Sequence, residues 1–271
     1  MAIASGDQYI ASSKQIIPYV KTSSVTTIAA TRFATLQLNG FPGAGTLPST
    51  GTTSNGGTLF TSSSSGMPTI NAFGGSATGY LSRVQYFSSV TGRLEIFDKI
   101  WGLVPVLNAL ATTSVTSPTS FTSRIPNGTD YSGLRIYAEI TTTFSASATT
   151  LQVTYTNQAG ATGKTTITTA SLSGFTAGRW VELPLAAGDT GVQAITSVTV
   201  AGATNAAGAC NIIIARPLWT NRVTIANGGG IDGLDRTGLP IVYATSALVV
   251  TAIPDATSSG VIDMNIEIAN N

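Results

Sequence analysis

LRIYAEIT at Leu134–Thr141, LQVTYT at Leu151–Thr156, KTTITT at Lys164–Thr169, WVELP at Trp180–Pro184, ITSVTV at Ile195–Val200 and CNIIIA at Cys210–Ala215 fill most of the stretch from Leu134 to Pro217. Val, Ile, Thr and Tyr dominate these runs, the composition that fits a pleated, half-buried surface. The breaks between them are turn sequences: Asn157-Gln158-Ala159-Gly160, Ser173-Gly174, Ala187-Gly188-Asp189 and Ala207-Gly208. A turn about every ten residues, with nothing of helical length between, is the pattern of a β-sandwich or jelly roll. The reading is an all-β chain with a jelly-roll-like sandwich over residues 79–220. Residues 1–78 are expected to form an extended N-terminal arm and loops, and residues 221–271 C-terminal strands packing on the same body.

Upstream, residues 1–50 hold short apolar pieces, Tyr9-Ile10, Gln15–Val20 and Phe33–Leu38, closed by the turn-rich Asn39–Gly45. They read as short strands or as the arm. Val25–Leu36 also places Ile28, Arg32, Phe33 and Leu36 on one face at helical spacing, but its Thr-rich interior opposes a helix. Thr46–Thr78 is the most loop-like segment, and Leu47–Ser65 has the composition of a flexible linker. Tyr80–Trp101 is ambiguous, because Leu81, Val84, Phe87, Val90, Leu94, Phe97 and Trp101 follow the spacing of an amphipathic helix. Its β-branched and aromatic content and the turn sequence Ser88–Gly92 favour two strands, Tyr80–Phe87 and Arg93–Ile100. Downstream, Leu239–Ile253 and Val261–Ile268 are apolar runs joined by the loop Pro254–Gly260. In the second, Ile262, Met264, Ile266 and Ile268 alternate with Asp263, Asn265 and Glu267, predicting a strand with one buried face.

The composition excludes several classes of function. Charged residues are 9% of 271, 13 basic against 12 acidic, where a freely diffusing protein carries about a quarter. No net field draws in nucleic acid or an anionic membrane, and a surface filled with Ser, Thr, Ala and Gly suits packing into an assembly. Histidine is absent, which removes the Ser-His-Asp and Cys-His mechanisms and every histidine-ligated metal site. The single cysteine, Cys210, rules out an internal disulfide and reads as a buried small hydrophobe. Met1–Asp7 lacks the basic and apolar regions of a signal peptide, and no run approaches the roughly 20 apolar residues of a membrane span. A soluble protein made in a cytoplasm is expected.

Each candidate site has a plainer reading beside it. Asp232-Gly233-Leu234-Asp235-Arg236 has two carboxylates near glycines but lacks the alternating oxygen ligands and distal Glu of a calcium loop. Glu139 and Glu182 lie on different strands and are a carboxylate pair of the kind glycosidases use, although any β protein with twelve acids offers such pairs. Trp101, Trp180 and Trp219 are a sugar-stacking platform if exposed and core anchors if buried, and their apolar neighbours favour the core. The glycines of Gly40–Gly45 precede no helix and so are not a phosphate cradle. The expectation is no catalytic, cofactor-binding or metal residue, and no cofactor.

Five strings carry a family resemblance: Leu94-Glu-Ile-Phe-Asp-Lys-Ile-Trp101, Val153-Thr-Tyr-Thr-Asn-Gln-Ala-Gly160, Leu183-Pro-Leu-Ala-Ala-Gly-Asp-Thr-Gly-Val192, Ser197-Val-Thr-Val200 and Arg216-Pro-Leu218. Over residues 80–220 the chain resembles virion structural proteins of tailed bacteriophages. The resemblance implies a head decoration, cement or auxiliary capsid protein, bound outside the major capsid protein as a homo-oligomer, with a trimer as the family-level number. It implies no enzymatic activity, no nucleic-acid or membrane partner, and a place in the virion. The alternative is a tail or fibre-associated protein that binds a host glycan.

Overall fold

The computed structural model describes residues 3, 5–46, 56–74 and 78–270. Residues 47–55 of the linker-like segment, and Met1, Ala2 and Ala4 at the start, lie outside that set. The chain is all-β, 47% strand and 6% helix, with antiparallel, sandwich-like sheets. In chain order the first strands are β1 Ser13–Lys21, β2 Phe33–Ala34, β3 Gly40–Phe41, β4 Thr58–Leu59, β5 Thr78–Ser88, β6 Gly92–Leu103 and β7 Thr112–Ser114. Between Leu134 and Val223 lie β8 Arg135–Thr142, β9 Thr149–Asn157, β10 Lys164–Thr165, β11 Trp180–Leu183, β12 Val192–Gly202 and β13 Ala209–Val223. The last are β14 Gly228–Asp232, β15 Ile241–Tyr243, β16 Leu248–Pro254 and β17 Ile262–Asn270. The helices are short: α1 Gly6–Ala11, capped by the Ser5 hydroxyl on the amide of Gln8, and α2 Leu234–Thr237.

Two compact units make up the chain. Unit 1 comprises Met1–Thr46, Thr61–Asp98 and Leu218–Asn271, and unit 2 comprises Leu47–Phe60 and Lys99–Pro217. Unit 1 has a sheet in the order β14-β5-β17-β1-β3, with β15 also on β5. Ile17, Tyr19, Leu81, Val84, Ile262, Met264, Ile266 and Ile268 from that sheet pack with Leu94, Ile96, Leu248, Val250 and Trp219 in one apolar core. Residues Ser13–Lys21 are therefore an inner strand, bonded along their length to Ile262–Asn270 and at one end to β3. Of the two readings of the N-terminal segment, this part takes the strand. Val25–Leu36 contains no helix; Thr26 bridges to Ser258 and Phe33–Ala34 adds to β16.

Tyr80–Trp101 is two strands, as its residue types predict, but they belong to different sheets, so Ser88–Gly92 turns a corner of the sandwich. Of the residues at helical spacing, Leu81, Val84, Leu94, Phe97 and Trp101 are buried, because β6 is buried at nearly every position and β5 at alternate ones, while Phe87 and Val90 are only half-buried.

In unit 2 one sheet runs β10-β9-β12-β7, and β11 and the first half of β13 flank β8 in another. Ile136, Ala138, Ile140, Ile212 and Ile214 meet Leu151, Val153, Tyr155, Ile195, Val198 and Val200 between them, and Cys210 lies in the same layer. KTTITT is only partly a strand. After Thr165 the amides of Thr166 and Thr169 still donate to the carbonyls of Val153 and Leu151, but the return bonds from the Val153 and Leu151 amides go to the threonine hydroxyls instead of the backbone. CNIIIA, by contrast, continues through Pro217 to Val223; its ladder to β8 ends at Ala215, so the missing proline N–H removes no bond there.

Lys21 ends β1 fully buried, its Nζ donating to the carbonyls of Leu38 at 3.1 Å and Pro42 at 2.7 Å. Burial pulls its ammonium down to about 8 from 10.5. Between those values the unfolded chain holds a proton that the folded chain has released, so stability rises with pH across that window. Wild type is expected to gain on Lys21→Met in urea midpoint as pH rises from 8 to 10.5, with a constant gap below pH 8. A constant gap throughout would refute the assignment.

Candidate functional site

The main cluster of buried polar groups in unit 2 is centred on Glu139. Strand β8 alternates Ile136, Ala138 and Ile140 into the sandwich core, which sends Tyr137 and Glu139 to the opposite face. Register then puts Asn211 directly across from Glu139 on one side and Trp180 on the other. The Asn211 amide donates to Oε2 at 2.8 Å, and the Trp180 indole donates to Oε1 at 3.1 Å. Lys99, from β6, brings Nζ to the same Oε2 at 2.5 Å. Lys99, Glu139 and Asn211 are all completely buried, and the Lys99 ammonium sits 4.1 Å from the centre of the Phe60 ring. Burial pulls the Lys99 ammonium down, against the pull of Glu139, which holds it up.

Glu182 is not part of this cluster. It pairs with Arg135 at 2.7 Å in a half-exposed ion pair. In the register of β8 and β11, Glu139 faces Trp180 while Glu182 faces Tyr137, so the two acids sit on one diagonal. The rings of Tyr137 and Trp180, 5.4 Å between centres, take the other. The carboxylates are thus committed to separate partners.

The remaining sequence candidates are also placed. Trp101 is buried, its indole donating to the Gly56 carbonyl at 3.0 Å. Gly57, at φ +67, lies so close over that ring that a Cβ there would come within 2.2 Å of it. Trp219 donates to Asp232 at 2.8 Å and lies 5.1 Å from the Tyr86 ring. Asp232 also accepts from Asn221 at 2.7 Å, while Asp235 lies in the first turn of α2. Among the described residues no group of three or more acids and cysteine is placed to hold a metal ion. Cys210 is buried, and burial, aided by Glu139, pushes its thiol up to about 12. The other buried acids of unit 1 are likewise tied down: Glu95 by Arg32 and Thr251, Asp98 by Ser246 and the amide of Ala247, Glu267 by Tyr9, Ser82 and Arg83.

Unit 2 also has an open groove of about 340 Å³, lined by Gly133, Arg135, Glu182, Pro184, Leu185, Asp189 and Thr190 among others. Asp189 at its rim accepts from Tyr155 at 2.6 Å and Asn157 at 2.7 Å, bonds that hold its carboxyl below the usual range.

Sequence reasoning passed over Lys99 and Asn211. The signal was present, since Lys99 stands in Leu94–Trp101, Glu139 in Leu134–Thr141 and Asn211 in Cys210–Ala215, each a polar residue inside an apolar strand. No family model, no curated protein and no solved structure matches this chain.

Proposed function

We propose that this chain is a non-enzymatic structural protein of a bacteriophage virion, a head decoration protein that binds the major capsid protein and stabilises the shell. The observation that supports this reading is the outer face of the unit 1 sheet. Cross-strand register places Ile16, Phe41 and Ile231 on that face, opposite the Ile262–Ile268 core side. They are 55%, 59% and 62% exposed. Such side chains, on a chain with few charges, gain by being covered by a neighbour. Homo-oligomers, trimers in the family pattern, cover part of this surface. Binding the assembled shell and not its free subunits stabilises the shell by mass action.

Particles lacking the protein are expected to open at lower temperature than complete ones, and added protein is expected to restore the difference. Equal melting of the two particle types would overturn the reading. The groove beside Arg135, Glu182 and Asp189 favours the second reading, a host-glycan-binding tail protein, because its carboxylates and guanidinium suit sugar hydroxyls. Glycan-array binding lost in Glu182→Ala, with no effect on particle melting, would select it.

A further inference from the structure

We propose that unit 2 closes itself covalently: the Lys99 Nζ and the Asn211 side-chain carbonyl carbon form an intramolecular isopeptide bond, with Glu139 as the proton-transfer group. Both nitrogens bond the same oxygen of Glu139, so they lie no farther apart than those two hydrogen bonds laid end to end. Asn211 Cγ is one covalent bond beyond Nδ2. All three side chains have no exposure to solvent, and Phe60, Tyr137 and Trp180 close round them. The Trp180 indole holds the second carboxylate oxygen and so fixes the plane of the acid.

The chemistry balances without an added reagent. Transfer of one Lys99 proton to Glu139 along their hydrogen bond leaves Lys99 as a neutral amine, the form that burial favours. The amine lone pair attacks Cγ of Asn211, forming the C–N bond, while the Glu139 proton moves to Oδ1. The new nitrogen gives its extra proton to the Glu139 carboxylate, which relays it to Nδ2. The Cγ–Nδ2 bond breaks, ammonia leaves, the carbonyl reforms, and the Oδ1 proton returns to Glu139. An amine and a carboxamide become a secondary amide and ammonia, and the acid is regenerated. Folding supplies the driving geometry, since groups fixed on neighbouring strands react as if at an enormous effective concentration. The dry site keeps water from competing for Cγ.

The position of the bond fits a load-bearing role and does not depend on which virion component the chain is. Lys99 opens the long segment of unit 2 and Asn211 lies near its end at Pro217. Tension entering at one and leaving near the other would pass through the bond and bypass the strands between them.

Intact-mass spectrometry of the purified full chain is the test. The wild type is expected to be about 17 Da lighter than its sequence, the mass of one ammonia, and to yield a branched tryptic peptide joining the Lys99 and Asn211 segments. Lys99→Met, Asn211→Ala and Glu139→Ala are each expected to restore the full sequence mass and to migrate more slowly on a denaturing gel. A succinimide at Asn39, Asn55, Asn127 or Asn227, each followed by glycine, has the same mass loss but gives no branched peptide. Wild-type protein at its full sequence mass after prolonged incubation, or a mass loss with no branched peptide, overturns the proposal whether or not the variants fold.

Discussion

Ile266→Asp is expected to leave unit 1 unfolded and the chain insoluble. Ile266 is fully buried on β17, whose strand has β5 on one side and β1 on the other. On the core face it lies with Ile262, Met264, Ile268, Ile17 and Val84, and with Tyr19, whose hydroxyl is already bonded to Thr35. The substitution removes a large buried side chain, worth about 2–5 kcal/mol for truncation alone, and adds the desolvation of an unpaired charge. That sum rivals the whole stability of a typical domain, about 5–15 kcal/mol. Asn265→Asp is the matched control, because Asn265 points to the other face and is half-buried. It is expected to express and to melt within a few degrees of wild type. Equal soluble yield and equal melting of the two variants would mean that the register of β17 is wrong.

Glu139→Ala is expected to be the most damaging single change in unit 2, with a loss of at least about 3–5 kcal/mol, the usual result of stripping one partner from a buried ion pair. The substitution orphans Lys99, the Asn211 amide and the Trp180 indole together, in a place closed to water. Glu182→Ala is the comparison. Its ion pair with Arg135 is half-exposed and screened, so its loss is expected to cost less than about 1 kcal/mol. Chemical denaturation monitored by tryptophan fluorescence separates the two, since Trp180 and Trp101 both lie in unit 2. Glu139→Ala and Glu182→Ala unfolding at the same denaturant concentration would show that the Glu139 node carries no special weight.

The alternation Ile262, Met264, Ile266, Ile268 and the turn spacing from Leu134 to Pro217 determined by themselves that the chain is all-β and which face of β17 is buried. Those are local properties: a strand's two faces are written in its own residues, and a turn needs only its own glycines. Local pattern also placed Cys210, Trp101, Trp180 and Trp219 inside, because each adjoins apolar residues. Only the tertiary structure decided the sheet partners. Nothing near Ser13–Lys21 states that it pairs with Ile262–Asn270, and nothing near Ser88–Gly92 states that the strands flanking it enter different sheets. Glu267 shows the same limit: its outward position in the alternation is correct, yet Tyr9 from α1 and Arg83 from β5 bury it. The Lys99, Glu139 and Asn211 cluster is the largest such case. Glu139 and Asn211 are polar residues flanked by apolar ones and Lys99 stands beside Asp98, and the meaning of all three came from register, which sets residues far apart in sequence against one carboxylate. Cross-strand pairing is a choice among many nearly equivalent edges, settled by the sum of side-chain contacts over the whole sheet, and so it is not written in any one segment.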